Sequence, residues 1–211
     1  MKAYLLNYLQ PYFEHKKYDE GKLGIDFIRK TSFGHSCVQC MVSEYDDGVV
    51  VRYFVGLRND LLERSLNKLL GENLLRYSGI ASLMVEADII KSGRKDNLFR
   101  FFCRDKEEMR KSADAFIDLM DRQGFDFLEN YKSVEKIDFL FNDKPRLSAV
   151  WTSHSYIRSF RAMTSAKILE RPDYDRLFQM HQQYLAERGF QGNILEKFNR
   201  TFARLKHVYL N

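Results

Sequence analysis

Proline is scarce. Three residues of 211 carry it, against 17 Phe and 12 Tyr, which argues against a disordered chain and for ordered elements joined by compact links. Cysteine is equally thin. Three thiols, an odd number, give no disulfide framework and fit a reducing cytoplasm. Long apolar runs are missing too. No segment approaches the roughly 20 apolar residues that span a bilayer. Near the N-terminus Leu5, Leu6 and Leu9 are interrupted by Asn7, Tyr8, Gln10 and Pro11, unlike the basic start and apolar stretch of a secretory leader. The expectation is a soluble cytoplasmic protein with no membrane partner. Neither a G-x-x-x-x-G-K nor a G-x-G-x-x-G loop occurs, so no phosphate cradle and no cofactor is expected.

What is present is core material. Hydrophobic residues make up 45% of the chain, enough for one large domain or a domain with a helical extension. The organising stretch is residues 23–57, expected as a three-stranded antiparallel meander. Leu23, Ile25 and Phe27 alternate with Gly24, Asp26 and Ile28. Val38, Cys40 and Val42 alternate with Cys37, Gln39 and Met41, a period of two. Asp46-Asp47-Gly48 is a hairpin signal. Val49–Leu57 is apolar on both faces except at Arg52, the pattern of a central, covered strand. A second hairpin is expected from Leu83, Val85, Ala87 and Ile89, then a polar turn at 92–97, then Phe99, Phe101 and Cys103.

Helices are expected around this sheet. One spans 3–18, with Pro11 kinking or splitting it. One follows Asn59 as N-cap and ends at Gly71. One starts at Asp105 with Glu108 at capping-box distance and stops at Gly124, followed by an apolar loop. A short helix is capped by Ser133. Asn142-Asp143-Lys144-Pro145 combines turn residues with a helix breaker and is the candidate boundary. Beyond it come three helical patterns, over about 153–169, from Pro172, and after Asn193. The fold class read from this order is α+β. It has an antiparallel sheet of about five strands, meander plus hairpin, covered by helices in residues 1–142. A helical extension of about three helices, 143–211, packs on it as one unit.

Two passages carry a resemblance. One runs from Phe27-Ile28-Arg29-Lys30 through Ser43-Glu44-Tyr45 to Val55-Gly56-Leu57-Arg58, the other is Gly124-Phe125-Asp126-Phe127-Leu128-Glu129-Asn130-Tyr131-Lys132-Ser133. On these the chain resembles, over roughly residues 5–142, a bacterial family catalogued as domain of unknown function number 4304. The resemblance implies a fold and a small accessory protein, with no catalytic residue to carry over.

Candidate chemistry is sparse. Cys37-Val38-Gln39-Cys40 has redox spacing, but within a strand a separation of three sends the thiols to opposite faces. Cys103 and His35 make a poor second ligand pair for a metal. His15, His35, His154, His181 and His207 form no metal-binding pattern, and His181 lies on an apolar helix face, as a hydrogen-bonded core histidine would. Glu86 and Asp88 share a strand face with Ser82. Paired carboxylates can do acid–base work, but the simpler expectation is the solvent face of an amphipathic strand.

The charge of +5 is uneven. Residues 144–211 hold 12 Lys and Arg against 5 Asp and Glu, leaving 22 basic and 24 acidic before them. Arg158, Arg161, Lys197, Arg200, Arg204 and Lys206 are therefore candidate nucleic-acid contacts, with Lys197, Arg200 and Arg204 at i, i+3 and i+7. The alternative is a solvated helix face. Of three functions, the favoured one is a non-enzymatic module binding a protein partner or itself, an immunity-like accessory role fitting the family resemblance. Nucleic-acid binding comes second. An enzyme with a site assembled from distant residues comes third.

Overall fold

The computed structural model describes residues 1–22, 26–70, 81–93, 99–143, 155–190, 192–203 and 205. The chain is α+β, with an antiparallel sheet and a C-terminal run of helices. Two compact units form. One joins Met1–Arg58 to Leu83–Asn130, the other Asn59–Ser82 to Tyr131–Asn211. Of the candidate boundary, Lys144 and Pro145 lie outside the described residues, as do Leu23–Ile25 of the expected first strand.

The first unit holds the sheet. Its strands are β1 (Asp19–Glu20), β2 (Phe27–Thr31), β3 (Gly34–Tyr45), β4 (Gly48–Asn59), β5 (Leu83–Glu86) and β6 (Arg100–Cys103). Their order is β1-β2-β3-β4-β5, with β6 also on β4. Phe27 pairs with Val38 and Thr31 with Gly34. Asp46 and Asp47 turn β3 into β4. The short β1 had no sequence signal.

Among the described residues the two strands of the expected second hairpin do not pair with each other. β5 lies along Phe54–Leu57 and β6 along Val49–Arg52, so both add to the same edge of β4 and not to each other. β4, at 12 residues, is long enough to take two four-residue strands end to end. The expected strand through Ile89 stops at Glu86, where helix α3 (Ala87–Ser92) begins. Ala87, Asp88 and Ile89 are all buried, which alternation cannot produce. The Asp88 carboxylate accepts the Phe99 N–H, and Gly93 closes the helix at φ 72°.

Helices α1 (Lys2–His15) and α4 (Lys106–Leu119) cover one face. Leu5, Leu9 and Phe13, four residues apart, are fully buried. Phe13 stacks on Phe27 with centroids 4.5 Å apart, and Phe116 of α4 stacks on Tyr53 at 4.3 Å. Each such ring adds about 1.5–3 kcal/mol of apolar burial. Of the two outcomes expected at Pro11, the split does not occur: α1 runs unbroken through it. Pro11 sits on the exposed side, as does Asn7, whose carbonyl loses its amide donor there.

Asp105 caps α4 as expected, its carboxylate accepting from Glu108 N–H at 2.8 Å. The helix does not stop at Gly124. A π-helical turn (Met120–Gly124) carries it into α5 (Phe125–Asn130). A Cβ at Gly124 would lie 2.4 Å from Met120 Sδ, so the glycine there makes room for a side chain.

The second unit is helical: α2 (Asp60–Leu70), α6 (Val134–Asp138) running into a π-helical turn (Phe139–Asp143), α7 (Ser155–Ile168), α8 (Tyr174–Glu187) and α9 (Asn193–Phe202). Asn59 caps α2 through Leu62 N–H at 3.0 Å. Ser133 caps α6 through Lys136 N–H at 3.4 Å. Two starts differ from expectation. α8 begins two residues after Pro172, and Gly192 rather than Asn193 precedes α9, its carbonyl accepting from Glu196 N–H.

Helix α7 is central. Ile157 through Ala166 are buried without a break, and α2, α6, α8 and α9 all pack against it. Phe160, Phe198 and Phe202 form the aromatic core, with Phe178 stacked on Phe198 at 5.5 Å.

Candidate functional site

Of the basic residues singled out by charge, those described fall into two groups. Arg158 and Arg161 lie inside the second unit at 0% and 4% exposure, beyond reach of a polyanion. Lys197 is half-buried and Arg200 exposed. Arg204 and Lys206 lie outside the described residues, as do His154 and His207.

The two buried arginines differ in how they are satisfied. Arg161 grips Glu63 with two bonds, Nε to Oε1 at 2.7 Å and Nη2 to Oε2 at 3.3 Å, and Ser82 donates to the same carboxylate at 2.7 Å. Arg158 has no carboxylate among these contacts. One Nη donates to the Phe141 carbonyl at 2.6 Å, and the rings of Phe141 and Tyr184 lie within 6 Å. Its Nε and other Nη are unpaired, as is the Tyr184 hydroxyl. Burial pushes the Arg158 guanidinium down to about 10.

His181 sits beside it, fully buried as expected of a core histidine. Asn142 Nδ2 donates to Asp138 and to the Ala162 carbonyl. Its Oδ1 must then accept from His181 Nε2–H, at 2.9 Å. That leaves Nδ1 to accept from the Ser159 hydroxyl at 3.2 Å. Burial, then the charge of Arg158, pulls His181 down to about 3. It is neutral, with both nitrogens engaged, and is not placed to move a proton for a substrate. Asp138 also accepts from Ser165 and from Arg171, which holds Asp173 as well.

In the first unit, Cys40 shares the covered face with Tyr53 and Cys37 sits on the other with Gly56. A Cβ at Gly56 would lie 3.2 Å from Cys37 Sγ. Burial pushes Cys37 up to about 12 and Cys40 well above its usual value, so both are inert thiols. Among the described residues no group of His, Cys, Asp and Glu has metal-binding geometry. Glu86 and Asp88 are buried at 6% and 1%, not on a solvent face. Glu86 pairs with Arg52, and Asp88 anchors a backbone amide.

The sheet's second face is different. Residues opposite each other in an antiparallel pair share a face. Val50 faces Phe102, Arg52 faces Arg100, Phe54 faces Glu86 and Gly56 faces Met84. The two-residue turn after Tyr45 puts Tyr45 and Met41 on the same side. Met41, Tyr45 and Phe102 are exposed at 39%, 55% and 40%, while Val50, Phe54 and Met84 on the same face are half-buried. The Arg52 guanidinium, held by Glu86, lies 5.1 Å from the Phe54 ring centroid. Arg104 lies 5.4 Å from that of Phe102.

No family model, curated protein or solved structure matches the chain. The geometry therefore stands on its own. The alternation of β3 placed Met41 beside Cys37 and Gln39. Phe102 went unmarked because Phe99, Phe101 and Cys103 define the other face of β6. Only the pairing of β6 with β4 brings Phe102 to Val50.

Among the described residues no helix is long and apolar enough to cross a membrane.

Proposed function

We propose that this chain is a non-catalytic interaction module that contacts another protein through the second face of its sheet. The observation that carries the reading is the exposure of Met41, Tyr45 and Phe102 together on that face, around the stacked Arg52–Phe54 pair. Aromatic, methionine and arginine side chains are the residues enriched at protein contacts, and clustered aromatic anchors supply most of their energy. A neutral, fully engaged His181 and high-pKa thiols lend no support to a catalytic reading. The burial of Arg158 and Arg161 removes two of the cations that a nucleic-acid reading needs. An accessory role of the immunity kind in a cytoplasm fits a protein-binding face.

The test is retention of a protein from native lysate by the tagged chain, with sedimentation velocity for self-association. Met41→Glu combined with Phe102→Glu, both at exposed positions, should abolish whichever contact the parent makes while circular dichroism confirms the fold. A parent that neither retains a protein nor self-associates, or a variant that behaves like the parent, refutes the proposal.

A further inference from the structure

In the second unit a cavity of about 230 Å³ is walled by Leu66 and Leu70 of α2, Ile157 and Phe160 of α7, and Ile194 of α9, with Lys197 also in its lining. The frame is firm: Phe160 packs edge-on against the fully buried Phe198 with centroids 5.3 Å apart. Its apolar walls face water, and an apolar ligand seated there would remove that surface from solvent. A dry cavity of about 150 Å³ holds benzene, so this one has room for roughly eight or nine heavy atoms.

Lys197 places a cation in the lining. Its side chain is half-buried and forms no ion pair among the described residues. Burial, then the neighbouring Arg200, lowers its hold on the proton. An ammonium so placed gains from an incoming anion.

We propose that this cavity binds a small amphipathic monocarboxylate, the apolar tail of roughly six to eight carbons between α2, α7 and α9 and the carboxylate on the Lys197 ammonium.

The test is isothermal titration of the full chain with octanoate, 1-octanol and acetate, each below its aggregation range. Octanoate should bind saturably, about tenfold tighter than octanol, the ratio set by one charge-assisted hydrogen bond, and acetate should not bind measurably. Lys197→Gln should bring octanoate down to the octanol value while leaving octanol binding in place. Ile194→Trp, which fills the cavity, should abolish both. If circular dichroism shows that variant unfolded, Leu70→Trp takes its place. Absence of saturable octanoate binding overturns the proposal. So does an octanoate-to-octanol ratio unchanged by Lys197→Gln, or octanoate binding that survives a folded cavity-filling variant.

Discussion

Arg158 and Arg161 lie three residues apart on α7, and the same substitution should have opposite effects at the two. Arg161→Met strands the Glu63 carboxylate, which is 1% exposed and loses both guanidinium bonds. Breaking a buried pair by removing one partner costs about 3–5 kcal/mol. Adding Glu63→Leu removes the stranded charge and should recover most of that loss, less about 1–3 kcal/mol for the Ser82 hydroxyl left without its acceptor.

Arg158→Met removes a cation with no carboxylate partner among the described residues. The lost bond to the Phe141 carbonyl is worth about 1.5–3 kcal/mol. The ring contacts add about 0.5–2 kcal/mol. Against them stand two unpaired nitrogen donors at about 1–3 kcal/mol each and the burial of charge. A methionine should therefore be neutral or stabilising by up to about 4 kcal/mol. Urea denaturation of both variants and the double variant, read by circular dichroism, measures the signs. Equal destabilisation by Arg158→Met and Arg161→Met would refute the distinction between a paired and an unpaired buried arginine.

Two further outcomes follow from the geometry. His181 is held neutral with its folded value near 3, below the unfolded value of 6.5, so the unfolded chain binds the extra proton between those limits. Its contribution to stability is full above pH 6.5 and is lost as pH falls toward 3, at about 1.4 kcal/mol per pH unit. Urea titrations at pH 7 and pH 5 should show roughly 2 kcal/mol less acid sensitivity in His181→Gln than in the parent, and identical sensitivity would contradict the burial of an uncharged ring. Gly56→Ala should cost about 1–3 kcal/mol, because its Cβ would lie 2.7 Å from the Leu83 carbonyl across the β4–β5 pairing. Thermal unfolding checks this, and an unchanged midpoint would count against that close approach.

The sequence-legible part of this fold is the local part. Alternation located β3 and β4, and the side chains of Asn59, Asp105 and Ser133 cap helices where their spacing predicts. Non-local choices were not legible. β5 and β6 look like a hairpin until β4, a strand long enough for both, takes each on the same edge. Arg158 and Arg161 look like a solvated face because a helical pattern does not carry its surroundings. Glu63, the partner that allows Arg161 to be buried, lies 98 residues away. The second sheet face was half-legible: the side of Met41 followed from periodicity, and its continuity with Phe102 required the register.

The central claim is that this face meets a protein. Site-specific photocrosslinking in the native cell tests it most directly, with a benzoylphenylalanine at Tyr45 or Phe102 and controls at Leu61 and Phe139, which are as exposed but lie in the helical unit. A discrete adduct from Tyr45 and Phe102, and none from Leu61 or Phe139, is the predicted result. Adducts of equal yield at all four positions, or none at Tyr45 and Phe102, would contradict it.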